Sequence, residues 1–143
     1  KLWLTWKARG DAGFSDRIDH AVAMAEYTRQ RIADSAGTFV PLVQGTFTNV
    51  VFCWVPPALR PLPVTDSGAL DISLLPEGAL AELHGHPPLI KARMQAEGSG
   101  MIGFQPVHGL NSFRMICMNP TLQAADVDAL LAAIDSAGLA TRS

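Results

Sequence analysis

The segment TNVVFCWV, residues 48 to 55, constrains the fold more than any other part of the sequence. Its β-branched and aromatic residues are typical of a strand, and its neighbours supply turn signals. Apolar side chains fill both faces of this strand, with Val50, Phe52 and Trp54 on one and Val51, Cys53 and Val55 on the other. A strand with one face in water alternates apolar and polar residues instead. The sequence therefore predicts a strand in a sheet that is covered on both sides.

The other elements predict an α+β fold around this strand. A first helix follows a break at Gly10 and Gly13, with an apolar face of Phe14, Ile18, Ala21, Val22, Ala25 and Ile32. A strand at 38–43 comes next, SGMIGFQP and NSFRMICM predict a hairpin across the turn VHGL, and a last helix ends at Gly138. This order predicts an antiparallel sheet with helices on one face, so the other face needs a neighbour.

The region between the two strand pairs is predicted to be irregular and then helical. Residues 56–76 are rich in proline and read as a long connection that is mobile in part. Helical signal resumes near Leu80 and again in PLIKARMQAEG, with HGHPP predicted as an interruption between them.

Length, charge and cysteine content narrow the functional classes. The chain of 143 residues suits one domain, and its net charge of −2 without a Lys/Arg cluster argues against nucleic acid or an anionic membrane as a partner. We find no apolar run of membrane-spanning length and no signal-peptide pattern, so we expect a cytoplasmic protein. Cys53 and Cys117 are predicted to be buried thiols rather than a disulfide framework or a zinc knuckle.

The first ten residues, KLWLTWKARG, are apolar from the second position and lack an N-cap residue. We interpret residues 1–10 as the end of a helix that begins upstream and joins two domains. On this interpretation the chain is a piece of a larger protein.

Few polar side chains form a pattern with chemical meaning. His84 and His86 in HGHPP supply at most two ligands where zinc needs three or four, so we predict a turn or helix break and no metal site. His20 and His108 are interpreted as solvated. The glycines of EGSGMIGF close a helix and enter a strand, the reverse of a phosphate-binding loop, so turn and strand-entry roles are predicted.

Arg114 is the remaining candidate, because it places a permanent charge in the apolar strand NSFRMICM. It would share a strand face with Ile116 and Met118. If the guanidinium is buried it needs an anion, since breaking a buried ion pair costs about 3–5 kcal/mol. Two interpretations stay open. The anion is either a carboxylate of this chain or the planar carboxylate of a ligand, which a guanidinium binds through two parallel hydrogen bonds.

Six segments, in order, resemble the C-terminal part of group II pyridoxal-phosphate-dependent decarboxylases. They are KLWLTWKARG, GFSDRIDHAVAMAEY, TNVVFCWVPPALR, PLIKARMQAEG, SGMIGFQP and NSFRMICMNP. The sequence looks most similar to the glutamate and cysteine-sulfinate decarboxylase branch. The resemblance covers nearly the whole chain except residues 61–80, an irregular connection where this sequence diverges.

The resemblance implies that residues 1–143 are the small C-terminal domain of a fold-type-I enzyme, whose sheet packs against a large cofactor domain absent from this chain. It implies that Arg114 binds the α-carboxylate of the substrate. Pyridoxal 5'-phosphate would be held upstream by a lysine, a stacking histidine and an aspartate. Lys1, Lys7 and Lys91 lack the His-Lys context of that site, so we predict no catalytic and no cofactor-binding residue here.

The full-length protein is accordingly expected to be a cytoplasmic homodimeric carboxy-lyase acting on glutamate, aspartate or cysteine sulfinate, and this piece alone to be inactive. Three positions depart from the family pattern. Ser112 replaces the first Phe of an FFRM-type motif, Phe104 replaces a Tyr in a GYQP-type motif, and Gln123 replaces a Thr helix cap, for which Thr121 is a possible substitute.

An alternative from another class is a free-standing α+β module that binds carboxylates, or serves assembly, without catalysis. The two interpretations differ in the reading frame that they expect before Lys1. A decarboxylase reading frame continues for several hundred residues before Lys1, whereas a small module begins near it with its own Met.

Overall fold

The computed structural model describes residues 1–45 and 47–141, which form one antiparallel sheet and three helices. The helices are α1 (Leu2–Ala33), α2 (Ala79–Glu97) and α3 (Ala124–Ala140), and the strands are β1 (Phe39–Pro41), β2 (Asn49–Trp54), β3 (Gly103–Val107) and β4 (Leu110–Ile116). The strand order is β1-β2-β4-β3, so β2 and β4 are central. The α+β class with an antiparallel sheet, predicted from the sequence, is confirmed.

Strand pairing follows the sequence signals closely. The doubly apolar strand β2 lies between β1 and β4, as its composition predicts. β1 is short and carries Pro41 at the sheet edge, where the missing N–H disturbs no inner ladder. β3 and β4 are joined by His108 and Gly109, both with positive φ (50° and 80°), a geometry that suits tight hairpins. The predicted hairpin is therefore confirmed.

The helices enclose the main core against one face of the sheet. Its buried members from the helices are Ala25, Ile32, Ile90, Met94, Val127, Leu131, Ile134 and Ala137, and those from the strands are Phe39, Val50, Phe52, Trp54, Phe113 and Met115. Trp54 donates a hydrogen bond of 2.7 Å from Nε1 to Asp135 of α3. Its ring packs so closely on Gly138 that a Cβ there would stand 2.5 Å from it. Gly138 is thus a packing residue inside α3, and the predicted helix end at that residue is wrong.

The second face of the sheet is covered in part by the chain itself. Residues 56–76 contain two 3-10 helices, Pro57–Leu59 and Ile72–Leu74, and an isolated β-bridge between Val64 and Leu70. The rest of this connection is irregular, as predicted. Leu62 and Leu70 from this connection pack in a second core with Val40, Val51, Cys53 and Leu110. The expectation that this whole face needs an outside neighbour is therefore too broad, because the connection supplies part of the cover.

α2 runs without interruption through HGHPP, with Pro87 and Pro88 inside it, so the predicted break is wrong. Leu83 before the prolines and Ile90 after them are both fully buried, one in each core. This packing holds the two halves of α2 in line and outweighs the hydrogen bonds lost at the prolines. α1 does contain an interruption where the sequence predicts one, since its backbone is kinked at Gly10. Helical segments lie on both sides of that kink.

Candidate functional site

Arg114 lies in the middle of β4, directly opposite Val51 of β2 and Gly103 of β3. Its sequence neighbours Phe113 and Met115 belong to the helix-side core. Because side chains alternate along a strand, Arg114 lies on the other face, and its cross-strand partners share that face with it.

The part of this face around Arg114 is open. Arg114 itself is exposed, Ile116 is 49% exposed, and Met118, just beyond the strand, is 67% exposed. We call the exposed set of Gly103, Arg114, Ile116 and Met118 the open face. The guanidinium is thus not buried within this chain, because the 56–76 connection covers the sheet elsewhere. The condition of a dry strand, on which the need for an anion rests, is not met by this chain alone.

An intrachain partner for Arg114 is not found among the residues that the structure describes. The ion pairs formed by arginines there join Arg29 to Glu26, Arg31 to Asp128, Arg60 to Asp135 and Arg93 to Glu97. The interpretation of Arg114 as half of an own-chain salt bridge is thus not realised. Its five N–H donors remain available to an anion from outside the described chain.

Similar proteins share this architecture. The chain is 38% identical over 140 residues to the cysteine sulfinic acid decarboxylase of Mus musculus, covering 96% of this chain and 26% of that protein. It is 35% identical over 139 residues to the acidic amino acid decarboxylase GADL1 of the same species, covering 96% and 23%. The crystal structure of mouse CSAD in apo form matches with a TM-score of 0.81 at 36% identity, over 96% of this chain and 27% of that one.

The proteins that the chain matches over 96% of its length are group II pyridoxal-phosphate-dependent decarboxylases. The chain matches the C-terminal part of these decarboxylases and spans about a quarter of the length of the curated relatives. No family model matched the sequence in a scan. The fold is also that of the C-terminal region of known decarboxylase structures, as the resemblance implied.

The described residues of the chain do not fit a pyridoxal-phosphate site of their own. The open face contains no lysine. The Nζ of Lys91 lies 5.6 Å from the ring centroid of Phe104, and that of Lys7 lies 5.9 Å from the ring of Trp3. Both ammonium groups therefore sit over aromatic rings.

Phe104, the position at which the resemblance implies a tyrosine, lies on the face opposite to Arg114. It pairs with Phe113 and is half-buried against the helix-side core. A hydroxyl on this ring would extend from the helix side of the sheet, away from the open face. The departure at Phe104 therefore leaves the surroundings of Arg114 unchanged.

The other departures are also accommodated. Ser112 is fully buried and donates a hydrogen bond of 3.0 Å to the carbonyl oxygen of Leu110. Gln123 begins α3, and the Asp126 carboxylate accepts a hydrogen bond of 2.8 Å from its backbone N–H. Asp126 thus stabilises the first turn of α3 through the Gln123 backbone, so the helix start does not depend on Thr121.

The two histidines of HGHPP do not share a site. Asn111 donates its backbone N–H to His84 Nδ1 at 3.2 Å and its side-chain amide to the His84 carbonyl at 3.0 Å, which ties α2 to the β3–β4 hairpin. His86 is buried, with its ring 5.1 Å from that of Trp54. Each histidine therefore has a place in the packing of α2.

The remaining histidines differ from each other. His20 is half-buried and its Nε2 lies 2.9 Å from the carbonyl oxygen of Leu122, so the solvated state expected for it is wrong. His108 is exposed in the hairpin turn, as predicted.

Both cysteines are buried and free, as predicted. Burial raises the pKa of the Cys53 thiol to about 12 and also raises the pKa of Cys117. Thiols of this kind are protonated at neutral pH and are poor nucleophiles.

None of the helices within residues 1–45 and 47–141 is long and apolar enough to cross a membrane.

Sequence reasoning missed the pairing of Gly103 with Arg114, because the pattern of EGSGMIGF predicts only turn and strand-entry roles for its glycines. The signal was present in the hairpin. A two-residue turn at His108 and Gly109 sets Val107 opposite Leu110, and this register in turn sets Gly103 opposite Arg114.

Proposed function

We propose that this chain is the C-terminal part of a pyridoxal-phosphate-dependent carboxy-lyase that decarboxylates an acidic amino acid. In this proposal Arg114 binds the α-carboxylate of the substrate. The observation that carries the proposal is an exposed arginine without an own-chain ion pair among the described residues, at the centre of a strand in a segment that matches decarboxylases over 96% of its length.

The physical argument rests on the guanidinium. Its two parallel N–H donors match both oxygens of a carboxylate, which fixes the orientation of the substrate as well as its position. Ile116 and Met118 place apolar surface on the same open face. When the cofactor domain covers this face, water is excluded and the charged pair becomes stronger.

The substrate class is inferred from the relatives. Their names specify acidic amino acids and cysteine sulfinic acid. Glutamate, aspartate and cysteine sulfinate all carry an α-carboxylate, so Arg114 would bind the group they share. The acidic side chain would then be recognised by the cofactor domain.

The cofactor in this proposal is pyridoxal phosphate, bound by that larger domain, where it supplies an electron sink for the carbon that loses CO₂. We further propose a homodimeric, cytoplasmic enzyme. The buried free thiols of Cys53 and Cys117 suit a reducing compartment.

Replacing Arg114 in the full-length protein tests the proposal. Arg114→Lys keeps the charge but loses the bidentate pair, so kcat/KM should fall by about tenfold or more. Arg93→Lys is the matched control, because Arg93 is an exposed arginine on α2 whose Nε lies 2.7 Å from Glu97. The control should retain normal kinetics.

Two results would contradict the proposal at different points. Full-length protein loaded with pyridoxal phosphate that releases no CO₂ from any of the three amino acids would refute the enzyme assignment. Normal decarboxylation by Arg114→Lys would refute the role of Arg114 alone.

A further inference from the structure

Gly103 is a glycine that the described fold does not require. Its φ lies outside the left-handed range that favours glycine, and a Cβ built on it would meet no described atom within 4 Å. Gly138 and Gly109 differ, because the first lies against Trp54 and the second has a φ of 80°. The described chain itself therefore supplies neither a steric nor a backbone reason for glycine at position 103.

The position of Gly103 indicates another reason. It lies directly opposite Arg114 on the open face, at the start of the edge strand β3. On the other side of Arg114, the facing residue is Val51, which is buried under the second core. Arg114 is thus flanked by a branched side chain toward the sheet centre and by bare backbone toward the sheet edge.

This asymmetry leaves room beside the guanidinium on one side. Side chains directly opposite each other in an antiparallel pair have Cβ atoms about 4.5–5.5 Å apart, so any side chain at position 103 would lie along the stem of Arg114. A glycine in a paired strand position often marks the close approach of a ligand.

We propose that Gly103 is a specificity-determining residue that keeps this space free for the α-carboxylate of the substrate. The inference rests on the proposed function of Arg114 and adds a second residue to the same site. A carboxylate must approach in the plane of the guanidinium to accept both hydrogen bonds. A side chain at position 103 narrows that approach from the sheet edge.

Two substitutions of increasing size test the space in the full-length, cofactor-loaded enzyme. Gly103→Ala should raise KM for the amino acid, and Gly103→Val should lower kcat/KM further, by about tenfold or more. Valine favours strands, so the larger substitution is not expected to weaken β3. Thermal unfolding of each variant checks this point.

Binding of the amine product separates the carboxylate site from a general effect on the enzyme. The amine product is the substrate with its α-carboxylate replaced by hydrogen, and it keeps the acidic side chain. Its inhibition constant should therefore be unchanged in Gly103→Val, while KM for the amino acid rises. Cofactor absorbance should also be unchanged. Equal weakening of amine and amino acid would overturn the proposal, because it would assign Gly103 to domain packing.

Gly85→Ala is the matched control. Gly85 is an exposed glycine of α2, and a Cβ there also meets no described atom within 4 Å. Its replacement should leave KM for the amino acid and binding of the amine unchanged.

The Arg114 variants distinguish failure of this inference from failure of the proposed function. If Arg114→Lys loses activity and Gly103→Val does not, the carboxylate clamp stands and the role of Gly103 is refuted. If Arg114→Lys is normal, the clamp and the role of Gly103 both fail. If both residues act on one carboxylate, the double variant should lose less activity than the product of the two single losses.

Discussion

At the scale of single residues, Asp128 connects two helices through a charged cluster. Its carboxylate accepts hydrogen bonds from Arg31 Nε at 2.6 Å and from the Tyr27 hydroxyl at 2.9 Å, both on α1. The hydrogen bond from Arg31, followed by that from Tyr27, holds the pKa of Asp128 below its usual value of 3.8. Asp128 therefore favours the folded state whenever it is ionised.

Asp128→Asn should accordingly lower the melting temperature of the protein near pH 7. A carboxylate with a depressed folded pKa stabilises above its unfolded pKa, and this contribution disappears as pH falls through the folded pKa. The difference in melting temperature between the native protein and the variant should thus shrink between about pH 5 and pH 2. Melting followed by circular dichroism across this range measures it.

Asp16→Asn, a change of the same type at an exposed position of α1, is the control for Asp128→Asn. It should give a small difference in melting temperature at each pH. A deficit in Asp128→Asn that stays constant down to pH 2 would show that lost packing, rather than charge, causes the effect.

The candidate site was only partly predictable at this scale. The sequence identified Arg114 as the candidate but left open whether its anion is a carboxylate of this chain or of a ligand. Among the described residues, no own-chain carboxylate pairs with it. The exposure of Arg114 was not predictable, because periodicity gives the face of a strand but not the extent to which a distant connection covers it. Leu62 and Leu70 reach that face from a region without periodicity.

At the scale of elements, one contact in the packing of α3 on β2 is closer than the others that a glycine makes in this fold. Gly138 touches the ring of Trp54, and Trp54 is tied to the same helix by its hydrogen bond to Asp135. Gly138→Ala should lower the free energy of unfolding by about 1–3 kcal/mol, because the helix must move away from the ring. Urea unfolding followed by tryptophan fluorescence measures this loss.

Gly85→Ala is the comparison, because it should raise the free energy of unfolding where Gly138→Ala lowers it. Gly85 lies in an exposed part of α2 with open space around it, so alanine should stabilise the helix by about 0.5–1 kcal/mol. Equal stabilisation by both alanine variants would contradict the close contact at Trp54.

Element prediction failed where tertiary packing opposes a local signal. Pro87 and Pro88 favour a break, yet the buried Leu83 and Ile90 hold α2 in one piece across them. Element prediction succeeded where the local sequence signal and the tertiary packing favour the same structure. The turn at His108 and Gly109 sets the register of β3 and β4, and sequence pattern alone locates it.

At the scale of the whole molecule, the two apolar faces of β2 predicted two covered sheet faces. The helices cover one face, and the 56–76 connection covers part of the other. What remains is the open face, with apolar Ile116 and Met118 beside Arg114. In the proposed enzyme this remainder is where the cofactor domain packs, so Ile116 should be buried in the full-length protein.

Ile116→Gln tests this arrangement without placing a new charge beside Arg114. Burying an amide without a partner costs about 1–3 kcal/mol, so the full-length variant should release pyridoxal phosphate at lower urea concentration than the native enzyme. Leu89→Gln is the control, because Leu89 is 55% exposed on α2, on the helix side of the sheet. Cofactor absorbance after gel filtration at each urea concentration gives the comparison. If both variants lose the cofactor at the same urea concentration, a polar side chain lowers the stability equally on either side of the sheet. The open face would then not be the surface that packs against the cofactor domain.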